Sequence, residues 1–151
     1  METLVDVVNQ FADRVEELSN ELVVLSARLV REVRRRHRDD APAAIRVMSL
    51  VDELGPSTVS VLAEADRCSQ PTMTGLVNGL GDKGWLERLP HPDDARSSLV
   101  SMTTRGRAAL DDVRRRNAAM VAERVTAAGR TPEELATAVA VLSDVLTPAP
   151  Q

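Results

Sequence analysis

Ser69, Gln70, Thr72 and Thr74 crowd into one short stretch of the chain. Short hydroxyl and amide groups at the start of a helix can reach phosphate oxygens and base edges, and the positive end of the helix dipole favours phosphate. Ser69 also suits a helix N-cap, so a structural role stands beside the contact role. Pro71 is tolerated in the first helical turn. Further on, Arg96 lies in a polar stretch between two apolar runs. A guanidinium projecting from a hairpin tip suits the narrow, electronegative minor groove of duplex DNA. Pairing with Asp94 to brace the loop is a second and compatible reading.

Other chemistries find less support. Cys68 directly precedes the polar stretch, and a thiol near a helix N-terminus can acquire a lowered pKa and become oxidisable, which makes it a candidate redox site. A buried apolar plug is the stronger reading, because free cysteine is usually buried. As the single cysteine, it excludes an internal disulfide and a cysteine-based zinc cage. His37 and His91 lie in charged, loop-like surroundings, and neither G-x-S-x-G nor H-E-x-x-H occurs, so no enzyme is expected. A metal site from His91, Asp93 and Asp94 is disfavoured because a hairpin tip holds ligands loosely. No metal and no cofactor is expected.

The elements that must position these groups are mostly helical. Apolar residues from Leu4 through Phe11, Leu18 and Leu25 to Val33 alternate three and four apart, the stripe of a long helix. Such a helix has few neighbours in one small domain, so part of its stripe is expected to pack on a second copy of the chain, with an ordinary long core helix as the alternative. Arg34, Arg35, Arg36, His37 and Arg38 suit the helix C-terminus, before Asp39, Asp40 and Pro42 break it. A helix over Ala43–Leu54 closes at Gly55 and Pro56, and Thr58 caps a second one through Ala63. Ser69 starts the next, which Gly81 and Gly84 stop. Trp85–Leu89 and Leu99–Met102 read as two strands of a hairpin with a polar tip. Thr103 caps a helix ending near Gly129, with Arg114, Arg115 and Arg116 on its outer side. Thr131, Pro132 and Glu134 form a capping-box start for the last helix, which Pro148 and Pro150 end.

Composition agrees with a mainly α protein. The 151 residues are 43% hydrophobic, with one Phe, one Trp and no Tyr. Aliphatic side chains of this kind suit closely packed helices. No segment reaches the roughly 18 apolar residues of a membrane span, and a cytoplasmic protein with no membrane partner is expected. The net charge of −4 opposes DNA binding, although the segment from Ser57 to Arg107 carries as many bases as acids. Binding would then depend on the placement of a few charges.

The stretch from Gly55 to Leu110 resembles the MarR family of bacterial regulators. The resemblance is carried by Gly55-Pro56-Ser57-Thr58, Leu62-Ala63-Glu64, Ser69 to Thr74, Leu76-Val77-Asn78-Gly79-Leu80 and Lys83 to Arg88. Asp93-Asp94-Ala95-Arg96 is similar to that family's wing signature, and Leu99 to Thr103 followed by Gly106-Arg107-Ala108 to its strand-to-helix exit. It implies a winged helix-turn-helix lobe with a two-stranded β-wing, over residues 41–102. Dimerisation helices are implied over 1–40 and 103–151. The implied function is a homodimeric, sequence-specific transcriptional regulator, expected to be a repressor, on double-stranded DNA with a pseudo-palindromic operator. The implied DNA-binding set is Ser69, Gln70, Pro71, Thr72, Thr74 and Asn78 on the helix, and Asp94, Arg96 and Ser97 on the wing.

Release by a small ligand goes with the resemblance, and release by an oxidant would go through Cys68. The chain lacks aromatics for a ligand cleft, so the expected effector is apolar, against Ile45, Met48 and Leu54. Two departures matter. Gly75 stands where many relatives carry Arg, which implies weaker binding or altered preference. Arg67 stands where the family often has a Gly turn, which implies a different joint between the two helices. The alternative function is a helical dimeric adaptor whose winged lobe binds protein; acidic charge and Gly75 favour it, and the retained polar helix start and Arg96 oppose it.

Overall fold

The structure is a computed structural model describing residues 3–36, 42–94 and 96–147, with the side chains of Leu4 and Arg36 excepted. His37 and Arg38 of the basic run, Ala95 of the wing, and Pro148 and Pro150 lie outside the described residues. The chain divides into two compact units, residues 1–42 and 43–151.

Within the first unit the described residues form one long helix, α1 (Leu4–Arg36), of 33 residues. Its start is a capping arrangement absent from the sequence reading. Asp6 accepts from the Thr3 backbone N–H at 3.0 Å and from its hydroxyl at 2.6 Å, while Thr3 Oγ accepts from the Asp6 N–H at 3.3 Å. Most of the apolar stripe is exposed, with Phe11 at 72%, and Leu22 and Val33 are half-buried.

The second unit runs α2 (Pro42–Leu54), α3 (Val59–Ala65), α4 (Gln70–Asp82), β1 (Leu86–Pro90), β2 (Ser98–Met102), α5 (Thr104–Ala127) and α6 (Pro132–Leu146). Pro42 opens α2 where a helix breaker was expected, because a first-turn proline has no N–H to waste. β1 begins and ends one residue later than expected, while β2 begins one residue earlier and ends at Met102 as expected. Trp85 is still part of the turn, while Pro90 and Ser98 pair in antiparallel register. A third segment joins this sheet. Ser57 N–H donates to Val100 O at 3.1 Å, and Val100 N–H to Ser57 O at 2.8 Å.

One core serves this unit. Val47, Met48 and Val51 of α2, Leu62 of α3, Met73, Val77 and Leu80 of α4, Leu86 and Val100 of the strands and Leu110 of α5 are all buried in it. Met48 is completely covered, so it packs the core and offers no surface to an effector. Two ion-pair sets brace α2 from outside. Arg46 binds both Asp66 oxygens through Nε and Nη2, and Arg107 and Arg114 converge on Asp52. Arg46 holds the Asp66 carboxyl below the usual range, and Arg107 then Arg114 do the same for Asp52. Arg114, expected on an outer face, is thus part of the α2–α5 contact.

Three helices end in the same hydrogen-bonded turn. After α3, Cys68 N–H reaches Ala63 O and Arg67 N–H reaches Glu64 O; after α4, Trp85 and Gly84 reach Leu80 and Gly81. After α5, Arg130 and Gly129 reach Val125 and Thr126. Such a turn needs one residue with positive φ. Gly84 (φ +68°) and Gly129 (φ +67°) supply it in two cases, and Arg67 (φ +53°) in the third. Arg67 therefore keeps the geometry expected of a glycine, and no different joint results. It does so at a cost of about 1–2 kcal/mol, against about 0.5–1 kcal/mol for the extra chain entropy of glycine. Arg67→Gly is expected to stabilise the fold by about 0.5–1 kcal/mol, read as a raised urea midpoint at unchanged slope. An unchanged or lowered midpoint would show that the arginine side chain repays its backbone strain. Gly81 lies inside α4.

Among the described residues, no helix is long and apolar enough to cross a membrane.

Candidate nucleic-acid interface

Ser69 is the N-cap of α4, with its hydroxyl accepting from the Thr72 N–H at 3.3 Å and sharing a 2.8 Å hydrogen bond with the Thr72 hydroxyl. Gln70, Pro71 and Thr72 are exposed in the first turn and Thr74 is half-buried. The buried face of α4 is Met73, Val77 and Leu80. Pro71, Gly75, Asn78 and Asp82, spaced four, three and four apart, form an exposed row away from it. A Cβ built on Gly75 meets nothing within 4 Å, so the position is open and bare.

Asn78 is partly committed. Its amide oxygen accepts from Arg88 Nη2 at 3.1 Å, and Arg88 Nη1 donates to Ser98 Oγ at 3.2 Å. Asn78 is legible in the sequence as a polar residue of the helix, whereas its partnership with Arg88 is not, since no local pattern joins residues ten apart on a helix and a strand.

At the wing, Asp94 braces the loop through the backbone. Its Oδ1 accepts from the Arg96 N–H at 2.9 Å, and its carbonyl from the Ser97 N–H at 3.0 Å. His91 Nδ1 accepts from the Asp93 N–H at 3.2 Å. Neither the exposed guanidinium of Arg96 nor that of Arg67 has a side-chain partner among the described residues. Arg46, Arg107 and Arg114 by contrast are paired internally, and Lys83 Nζ sits 4.9 Å from the Trp85 ring centre. The unpaired cations of this lobe therefore include one before α4 and one on the wing. This meets the objection raised by net charge, because phosphate responds to the cations that face it.

Cys68 is half-buried beside Ser69, and its Sγ donates to Ser69 O at 3.6 Å. Burial, followed by hydrogen bonding to Asp66 and that group's charge, pushes the thiol pKa up. This is opposite to the lowering expected from a helix start, and it disfavours the thiolate that oxidation requires.

An exposed polar helix start and a wing whose Arg96 guanidinium has no side-chain partner among the described residues stand on one core, and comparison decides the family. The MarR family profile matches residues 42–98. An HTH-type transcriptional regulator of Mycobacterium bovis is 30% identical over 126 residues, covering 82% of this chain and 87% of its own length. The chain belongs to the MarR family. As a member it is a DNA-binding transcriptional regulator and not an enzyme, and the adaptor alternative is not favoured. The multiple antibiotic resistance protein MarR of Escherichia coli is 50% identical over 36 residues, 24% of this chain and 25% of that one. Its apo crystal structure aligns with 87% of this regulator and 96% of that chain, with TM-score 0.62 and 26% identity. A transcriptional regulator structure from Pseudomonas aeruginosa aligns with 94% of this chain and 99% of its own, with TM-score 0.70 and 25% identity.

Proposed function

We propose that this regulator is a cytoplasmic homodimer that represses transcription by setting two α4 helices into successive major grooves of a pseudo-palindromic operator. The centres of those grooves lie about 34–36 Å apart on one face of the duplex. Ser69, Gln70, Pro71, Thr72 and Thr74 meet phosphates and base edges from the first turns of α4. Asn78 presents its amide nitrogen from the same helix. Arg96 enters the minor groove, with Asp94 and Ser97 shaping the turn that carries it. Residues 41–102 do this reading, and residues 1–40 and 103–151 provide the dimer contacts. Repression is supported by a similar stretch in a transcriptional repressor of Bacillus subtilis, 36% identical over 50 residues, 33% of this chain and 30% of that one. A small effector would find room in the cleft of about 440 Å³ between α4 and β1, lined by Val77, Asn78, Gly81, Asp82, Leu86, Glu87 and Arg88.

The observation that carries this reading is an Arg96 guanidinium on the wing with no side-chain partner among the described residues, in the same lobe as an exposed polar helix start. A duplex selected by the protein from a random library, titrated across a salt series, provides the test. Arg96→Ala, which removes one arginine from each wing of the dimer, should weaken binding about tenfold and lower the salt slope by about 1.8, whereas Gly75→Arg should raise both. Affinity that ignores salt and both substitutions would refute DNA reading by this face.

A further inference from the structure

We propose that Arg88 is a positioning residue that ties the recognition helix to the wing and so sets the spacing at which major- and minor-groove contacts are made together. The proposal rests on the reading that α4 and the wing both engage the duplex. Its guanidinium donates to Asn78 Oδ1 on α4 at 3.1 Å and to Ser98 Oγ, the first residue of β2, at 3.2 Å, while Arg88 itself belongs to β1. One planar fork thus joins three elements. The fork geometry of arginine makes such a bridge directional, which a flexible ammonium cannot do.

The tie spans space that packing leaves unfilled. Leu86, at the root of the hairpin, is buried against the core with Val77 and Leu80. Beyond it the hairpin stands off from α4 across the cleft of about 440 Å³ already described. Glu87, Arg88, Leu89 and Pro90 are all exposed. Val100, opposite Arg88, is buried in the core, but outward of that rung Leu89 and Pro90 are exposed, so the two hydrogen bonds of Arg88 resist hinging of the outer hairpin into that cleft. Both acceptors are neutral, and Arg88, Asn78 and their hydrogen bonds are solvent-exposed. Their loss therefore changes orientation more than global stability.

The experiment uses the full-length protein and a duplex selected by it, with Arg88→Met, Arg88→Lys, Arg96→Ala and the Arg88→Met/Arg96→Ala double variant. Binding is measured across a salt series, with hydroxyl-radical footprinting of the minor groove and thermal unfolding alongside. Arg88→Met should weaken binding about tenfold, and Arg88→Lys nearly as much, since it keeps the charge but cannot bridge both acceptors. Arg96→Ala should cost about tenfold in the wild-type background but less than about twofold in Arg88→Met, because the wing is already misplaced. The wing footprint should fade in both Arg88 variants at unchanged melting temperature. Wild-type affinity in Arg88→Lys, or losses that multiply in the double variant, would overturn the proposal and make Arg88 a direct phosphate contact. If Arg96→Ala has no effect on wild type, the wing makes no contact and the underlying reading fails, leaving nothing to position.

Discussion

Gly106→Ala is expected to cost the fold about 3 kcal/mol or more. A Cβ at Gly106 would stand 2.0 Å from Trp85 O and 2.8 Å from its carbonyl carbon, and neither atom is a side-chain end that can swing away. The same carbonyl accepts from the Thr103 N–H at 3.1 Å and from the Thr103 hydroxyl at 3.2 Å, and that hydroxyl also donates to Gly84 O at 2.7 Å. Thr103 Oγ in turn accepts from the Gly106 N–H at 3.0 Å to cap α5. A methyl group here must push α5 off the turn between α4 and β1, breaking several of these hydrogen bonds together. For a chain of this size, a loss of about 3 kcal/mol lowers the melting temperature by about 6–12 °C, compared at equal protein concentration. Gly79→Ala is the control. Its Cβ would meet nothing within 4 Å on an exposed helical site, so it should be neutral or stabilising by up to about 1 kcal/mol. A Gly106→Ala protein that melts like Gly79→Ala would show that the close approach at Trp85 is not required.

This knot also marks where sequence reading ends. The capping box of α6 was legible residue by residue: Thr131 accepts from the Glu134 N–H at 3.2 Å, and the Glu134 carboxylate accepts from the Thr131 N–H at 2.9 Å. Both partners lie within one turn, where chemistry and spacing carry the information. The caps at Thr58, Ser69 and Thr103 were legible for the same reason. What escaped depends on segments meeting in space. The pairing of Ser57 with Val100 needs the whole lobe folded before it exists, and a one-residue bridge has no period to detect. Gly81 and Gly84 look alike as helix stops. Only Gly84 takes positive φ, because Trp85 closes the turn back onto Leu80. Arg67 shows the converse, since hydrogen bonding and the burial of Cys68 impose on arginine a conformation its own preference opposes. In the candidate site, residue types at the start of α4 and on the wing were readable. That Asp94 braces the loop through backbone N–H and leaves the Arg96 guanidinium unpaired was not, because both arrangements use the same two residues.

Replacing Val139 and Leu142 together by Glu is expected to yield monomers and to weaken operator binding by about 10²–10⁴-fold. No residue of α6 is buried within one protomer, and Val139, Leu142, Val145 and Leu146 are between 36% and 80% exposed. A helix of 15 residues is at the limit of what holds without tertiary packing, and its capping box and the Arg130–Glu134 pair strengthen only its start. Its apolar face therefore needs a cover, and under the proposed function a second copy supplies it. Two carboxylates on that face would be desolvated without partners in the dimer but well hydrated in the monomer, so the equilibrium shifts toward the monomer. One lobe then meets one half-site, and the gain from linking two is lost. Sedimentation should find a mass near the 16.4 kDa of one chain in place of twice that value, with helical circular dichroism largely retained. A variant that stays dimeric and binds its operator with wild-type affinity would move the interface away from α6.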